Sequence, residues 1–305
     1  MAGNAGAKRV RKAVLPVAGL GTRLLPVTKA LPKVMLPIVD KPAIQYVIEE
    51  AVRAGIDDIV IVTGRGKNAV EDHFDRAVEL ELELEARGKH DVLKQVREIT
   101  DMATIHYVRQ SEPKGLGHAV WTARQHVGDE PFAVLLPDDI MQTPVLEAML
   151  DAHAETGRPV LALLEMTLEE VSRYGCAAVE PLDGRPAGEA RPEGSIVRVR
   201  EVVEKPDPCE APSNLAVIGR YVLTPDVFEA IERVVPGKGG EIQLTDAIAM
   251  LLGDGVYGYC FSEGRLDTGN PLDYLRATVE VAIQREDVGP DFRVFLRELV
   301  QREGF

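Results

Sequence analysis

The chain reads as an α/β protein of Rossmann-like type, with a mixed, mostly parallel central sheet, flanking helices and a smaller β lobe. Three observations predict this. Strand-like apolar runs alternate with helical patterns through the first half, the mark of parallel crossover units. The second half is richer in strands. Gly19, Gln110 and Asp138 each stand just after a predicted strand, where open sheets of this kind bind their ligands.

In chain order, strands are expected over 13–17, 58–62, 104–108 and 132–136, with helices over 42–54, 67–87, 116–127 and 144–155 between or after them. Further strands follow over 160–165, 196–203, 215–223 and 256–261. Helices return over 226–233, 243–252, 272–285 and 291–302. The Gly- and Pro-rich stretch 182–194 predicts a mobile connection between strands. Glu and Leu crowd 71–87, and Leu80, Leu82 and Leu84 alternate too closely for one helical stripe, so this charge run predicts a solvated face. Residues 1–9 are expected to be a disordered lead-in, and 10–305 a single domain that includes the C-terminal helices.

With 305 residues and 45% hydrophobic content the chain can bury a full core. Its formal charge of −14 disfavours nucleic acid and anionic membranes as partners. Cys176, Cys209 and Cys260 lack metal-ligand spacing and read as free thiols in a reducing compartment. No apolar run nears the roughly 20 residues needed to cross a bilayer, and the basic start has no apolar segment behind it. A cytoplasmic location is therefore expected.

The stretch LPVAGLGTRLLPVTKALPK, residues 15–33, carries most of the functional information. After an apolar run, Gly19 and Gly21 are expected to adopt dihedrals closed to other residues and to aim amides at phosphate oxygens. Arg23 adds a planar fork with a permanent charge, and Lys33 a compact one. Pro16, Pro26, Pro32 and Pro37 argue for a structured loop instead of a helix. A dinucleotide fingerprint would need glycine where Leu24 stands, and a Walker loop would need Gly-Lys-Ser/Thr. Neither is present. The string resembles the signature G-x-G-T-R-x-x-P-x-T-x-x-x-P-K of nucleotidyltransferases that make nucleoside diphosphate sugars, matched at Gly19, Gly21, Thr22, Arg23, Pro26, Thr28, Pro32 and Lys33. The resemblance implies the nucleotide-diphospho-sugar transferase fold, in which the β lobe binds sugar, and nucleotide contacts from Ala18, Gly19, Gly21 and Thr22.

Other constellations extend the resemblance. Asp138-Asp139 follows FAVLLP, where a strand end can offer carboxylates to a hard cation. RLDTGN carries Asp267, which alone reads as a turn. The family pattern implies that Asp138 and Asp267 ligate Mg²⁺. Uridylyl-transferring members usually show Asp-Cys-Gly followed by Asn-Lys, whereas this chain has Thr268 and Pro271 at the changed places.

In VVEKP, Glu204 and Lys205 are expected to point to opposite faces of a strand and so not to need each other. The matching E-K-P motif implies that Lys205 grips the sugar phosphate and Glu204 the sugar hydroxyls. Gly175, after Tyr174, and Gly219, in APSNLAVIGRY, are implied to border the hexose. RQSEPKGLGHAV resembles Q-x-x-x-K-G-L-G-H, which implies that Gln110 reads the uracil edge and Gly115 adds backbone contacts. His118 is expected to be structural.

The segment FDRAVELELELEARGKHDVLKQV is similar to a helical insertion of the bacterial UTP:glucose-1-phosphate uridylyltransferases, and APSNLAVIGRY and GEIQLTDAI also resemble them. The resemblance implies Mg²⁺-dependent, in-line transfer of a uridylyl group from UTP to glucose 1-phosphate. Arg23, Lys33 and Lys205 are the implied catalytic cations, and a homodimer or homotetramer the implied assembly. Two other readings remain open: a glucose-1-phosphate thymidylyltransferase using dTTP, and a catalytically silent sugar-nucleotide sensor or scaffold.

Overall fold

The computed structural model describes residues 8–182, 193–237 and 240–304. Most of the expected lead-in and of the turn-rich connection over 182–194 lies outside the described residues.

Strand β1 (Lys12–Pro16) enters the glycine loop, which returns through the short pair β2 (Pro37–Ile38) and β3 (Lys41–Pro42) to helix α1 (Ala43–Arg53). Then come β4 (Asp58–Thr63), α2 (Asn68–Phe74), α3 (Val78–Ala86), α4 (His90–Thr100) and β5 (Thr104–Arg109). Helices α5 (Leu116–Thr122) and α6 (Arg124–Val127) lead to β6 (Phe132–Leu135), β7 (Asp139–Met141) and α7 (Val145–Thr156). The second half holds β8 (Val160–Glu165), α8 (Leu168–Val171), β9 (Gly175–Pro181), β10 (Ile196–Glu204) and β11 (Leu215–Leu223). It closes with α9 (Asp226–Arg233), α10 (Leu244–Met250), β12 (Tyr257–Phe261), β13 (Arg265–Asp267), α11 (Pro271–Gln284) and α12 (Gly289–Glu303).

The main sheet has nine strands in the order β5-β4-β1-β6-β11-β8-β12-β10-β9. Pairing is parallel for β5 with β4, β4 with β1, β1 with β6 and β8 with β12, and antiparallel elsewhere, so that only β10 and β11 run against the other seven. Strand β9 also pairs with β11 through Gly175 and Cys176, which folds the outer pair back on the middle of the sheet. Val14, Val60 and Val62 pack on one face and Ala13, Leu15, Ile59 and Ile61 on the other, as the two-residue period of a strand requires. Both faces are covered, which explains the near-continuous apolar runs. A third, small core of Ile38, Ile140, Leu266 and Ala277 fastens α11 beside β7 and β13. Among the described residues no helix is long and apolar enough to cross a membrane.

The expected helix over 67–87 is broken, because Asp75 takes an extended conformation after α2 and the chain restarts as α3. The alternating Glu and Leu pattern has period 2 and cannot follow a helix of period 3.6. Leu80 and Leu82 are exposed while Glu81 is buried beside Leu84. Arg76 (2.6 Å) and Arg97 (3.0 Å) hold the Glu81 carboxylate, and their hydrogen bonds lower its pKa to about 2. A carboxylate depressed on folding stabilises the native state above its ordinary pKa and loses that contribution as pH falls from about 4.5 toward 2. We expect amide exchange in α3 and α4 to accelerate in that window and Glu81→Gln to remove the dependence.

Candidate active site

The loop after β1 is held open by its own side chains. Gly21 is left-handed at φ 67°, Thr28 Oγ1 donates to its carbonyl at 2.8 Å, and a Cβ there would lie 3.2 Å from side-chain carbons of Thr28 and Lys33. Short 3-10 turns at Thr22–Leu24, Val27–Lys29 and Lys33–Met35 replace a helix. Gly19 differs from expectation. It has no positive φ, and a Cβ there would meet nothing within 4 Å, so no backbone demand selects glycine. What it leaves is open space next to half-buried Ala18, with Thr22 and Arg23 exposed alongside.

Lys67, in the turn after β4, reaches across to donate to the Gly19 carbonyl at 2.8 Å. It is buried, and burial together with the charge of Lys33 lowers its pKa. This third cation was not singled out from the sequence. The signal was the Gly-Arg-Gly-Lys turn directly after a strand.

Asp138 follows β6, and Lys33 Nζ donates to its Oδ2. Burial would raise the Asp138 pKa, but the charge and hydrogen bond of Lys33 outweigh it and hold the group below the usual carboxylate range. Asp139 opens β7, which pairs antiparallel with β13 so that Asp267 lies opposite Asp139. That three-residue ladder carries Asp267 to Asp138. Thr268 adds two bonds to the Asp138 carbonyl, from its amide (2.8 Å) and hydroxyl (2.9 Å), and Pro271 begins α11 behind the Asn270 cap. Asp267 is oriented by the Gly269 amide (2.6 Å), Tyr174 hydroxyl (3.0 Å) and Arg265 (3.0 Å). A point beside Gly269 lies 2.9 Å from Asp267 Oδ1 and 3.6 Å from Asp138 Oδ2, so both carboxylates face one spot.

Asp139 has another task. Burial raises its pKa, and Arg265 answers the carboxylate at 2.6 Å. Beneath it lies Arg220, fully buried and paired with Glu50 at 2.6 Å. The same guanidinium donates to the carbonyls of Leu136 (3.1 Å), Gly219 (3.0 Å) and Asp139 (2.7 Å), so it clamps both sides of Asp138. Breaking a buried pair leaves one uncompensated charge, and we expect Arg220→Met to lower stability by about 3–5 kcal/mol in urea unfolding.

A cavity of about 580 Å³ joins these groups, lined by Arg23, Asp138, Gly175, Glu204, Lys205, Gly219 and Asp267 among others. Lys205 departs from the expected strand geometry. Strand β10 ends at Glu204 and Lys205 turns left-handed at φ 44°, which swings Nζ back to Glu204 Oε1 at 2.9 Å. The two side chains therefore pair, contrary to a simple alternation of faces. Thr245 Oγ1 holds the other Glu204 oxygen at 2.7 Å. Gly219 lines the cavity, yet a Cβ there would overlap the Asp139 carboxylate and lie 2.7 Å from Leu136 Cβ, so the glycine is demanded by the protein's own packing and not only by a ligand. At Gly175 a Cβ would meet Thr245 Oγ1 at 3.2 Å.

Gln110 and Gly115 lie outside this lining. Gln110 is buried after β5, with Nε2 2.9 Å from His118 Nδ1 and 3.3 Å from the Gly115 carbonyl. His118 thus has a structural partner. Gly115, at φ 97°, packs where a Cβ would be 2.8 Å from the Ile242 carbonyl, which ties the GLG turn to the GEIQLTDAI segment.

The nucleotidyl transferase family model matches residues 12–284, nearly the whole sheet and both sides of the cavity. The chain belongs to the nucleotidyl transferase family. It is 50% identical over 299 residues to the UTP–glucose-1-phosphate uridylyltransferase of Bacillus subtilis, covering 97% of this chain and 99% of that one. The UTP-bound UGPase of Acinetobacter baumannii superposes with a TM-score of 0.86 at 39% identity, over 95% of this chain and 99% of its own. A UDP-glucose pyrophosphorylase complexed with UDP-glucose does so with 0.80 at 42%, over 90% and 100%.

In this nucleotidyl transferase the sequence pattern identified the strand-end residues but not the shell that aims them. Arg220 and Arg265 each stood in a quoted motif, APSNLAVIGRY and RLDTGN, without being singled out. An arginine inside an otherwise apolar strand, as in LAVIGRYVL, is the signal that could have found the first.

Proposed function

We propose that the chain transfers the uridylyl group of UTP to glucose 1-phosphate, giving UDP-glucose and pyrophosphate. The observation that carries this reading is the convergence of Arg23, Asp138, Asp267, Glu204 and Lys205 on one cavity, in a chain half identical to uridylyltransferases. The sugar-phosphate oxygen attacks the α-phosphorus in line and pyrophosphate leaves, a reaction that needs positioning and charge neutralisation and no covalent intermediate.

Gly19, Gly21, Thr22 and Ala18 border the space for the triphosphate, with Arg23 placed for the departing pyrophosphate. Lys33, which rests on Asp138, would turn to the reacting phosphates. Lys205 takes the sugar phosphate and Glu204 the sugar hydroxyls, while Gly175 and Gly219 floor the hexose space. Gln110 retains its side-chain carbonyl for the base edge, and Gly115 its backbone amide, its carbonyl being held by Gln110 and Ala119. A hard divalent ion suits the donor set, which is two carboxylates facing one spot with Asp138 kept anionic and, among the described residues, no cysteine or histidine lining the cavity. Asp138 and Asp267 would hold Mg²⁺, which supplies charge neutralisation at the phosphates. The same reading includes assembly as a homodimer or homotetramer, for which the exposed Leu272, Leu275 and Phe295 on α11 and α12 offer apolar surface; light scattering would report it.

The test is pyrophosphate release from UTP and from dTTP, each with glucose 1-phosphate. The expected result is turnover with UTP at least about tenfold faster, since dTTP adds a 5-methyl group and lacks the ribose 2′-hydroxyl, the two differences that packing and hydrogen bonding can sense. Faster turnover of dTTP would assign the chain to thymidylyl transfer, and none with either nucleotide would favour a silent sensor.

A further inference from the structure

At the opposite end of the parallel strands from the cavity, three side chains from three elements meet. Asp58 is the first residue of β4, His106 sits on the edge strand β5, and His126 lies in α6. One ligand atom from each lies within 4.8 Å of the other two. Asp58 Oδ1 is 2.7 Å from His126 Nε2 and 3.9 Å from His106 Nε2, and the two imidazole rings stand with centroids 4.5 Å apart. We propose that Asp58, His106 and His126 form a binding site for a divalent transition-metal ion of the zinc class, separate from the hard-cation site of the cavity.

The chemistry favours such an ion over Mg²⁺. Two neutral imidazoles and one carboxylate suit borderline cations, whereas Mg²⁺ prefers oxygen donors and keeps its waters. Bonds of about 2.0–2.2 Å to nitrogen and oxygen require the donors to stand roughly 3 to 3.5 Å apart. The Asp58–His126 pair is already there, and His106 needs to close by about half an ångström to an ångström on Asp58 and, from within 4.8 Å, by up to roughly 1.8 Å on His126. It can do so, because its side chain is 47% exposed on an edge strand, and at 3.9 Å it makes no hydrogen bond to Asp58 that would have to break. Metal entry displaces the proton shared by Asp58 Oδ1 and His126 Nε2, which leaves to solvent. The nearby cations are not an obstacle: Arg11, which feels the Asp58 charge, is paired with Asp57 at 2.7 Å, and the Lys12 ammonium donates to the carbonyls of His126 (3.2 Å) and Val127 (3.0 Å) and is paired with Glu130 at 3.0 Å. A bound ion would tie β4, edge strand β5 and α6 together and so stabilise that end of the sheet.

The experiment uses the full chain without a histidine tag, in millimolar Mg²⁺ to fill the cavity site. Zn²⁺ binding is measured by equilibrium dialysis with metal analysis, melting is followed in parallel, and Co²⁺ serves as the spectroscopic probe. The expected results are one Zn²⁺ per chain with micromolar affinity, a melting temperature raised by about 4 °C at a hundredfold excess over the dissociation constant, and Co²⁺ d–d bands without a thiolate charge-transfer band. His106→Gln, at an exposed position, should weaken binding at least about tenfold and cut the melting shift to about half or less at the same Zn²⁺ concentration while Mg²⁺-dependent turnover stays unchanged. Zn²⁺ bound equally by wild type, His106→Gln and His126→Gln would overturn the proposal. So would a thiolate band, which would place the ion on exposed Cys209, or no binding at 100-fold molar excess of Zn²⁺.

Discussion

Asp138→Asn should reduce kcat for pyrophosphate release by about a thousandfold or more, with the fold intact by circular dichroism. In the proposed role, the magnitude follows from losing a charge that would face the reacting phosphates from a cavity wall where the side chain is 26% exposed, a setting in which such groups are worth several kcal/mol. The variant keeps the shape of the side chain and leaves the Asp138 carbonyl, which accepts from Thr268, in place. Stability should therefore change far less than rate. Two effects act on the Lys33 ammonium. It loses its anionic partner, and it becomes free to bind phosphate more tightly, so KM for UTP should fall or hold while kcat collapses. Near-normal turnover at saturating Mg²⁺ would remove Asp138 from its proposed role.

The second large effect is expected at Lys205. Lys205→Ala should lower kcat/KM for glucose 1-phosphate by about a hundredfold, as befits a charge-assisted contact to phosphate, and leave KM for UTP within a factor of about two. Equal loss for both substrates would sink its assignment to the sugar side. The backbone offers a control. A lysine at φ 44° carries roughly 1 kcal/mol or more of conformational strain that glycine would not. Lys205→Gly should lose activity as Lys205→Ala does while matching or exceeding wild-type stability. Strain of this kind, retained beside Glu204 in the cavity wall, fits a residue held for its charge and position.

Much of this arrangement was legible in the chain. Strands β1, β5 and β6 announced themselves as short apolar or β-branched runs, and Gly19, Gln110 and Asp138 do follow them as expected, although of the three only Asp138 lines the cavity. The prolines of the loop correctly excluded a helix. Alternation failed at two places for a physical reason. At Glu81 a period-2 charge pattern was folded into a helix, and two arginines from separate segments drew one glutamate inside. At Lys205 the strand had already ended, and a left-handed residue reverses the side-chain direction on which the two-face rule depends.

The sequence by itself determined the class of fold, the family and the identity of the charged groups, because these reside in local patterns: apolar periodicity, turn chemistry and contiguous motifs. Only the tertiary structure decided which groups meet. The pairing of β7 with β13 joins Asp267 to Asp138, Arg220 clamps that junction from below through Glu50, and Lys67 crosses from β4 to the glycine loop. Each of these contacts links residues far apart in the chain through a few hydrogen bonds or one ion pair, and such contacts leave almost no local trace in composition. Their strength comes from burial in a sheet that had first to form, and so they are properties of the assembled fold.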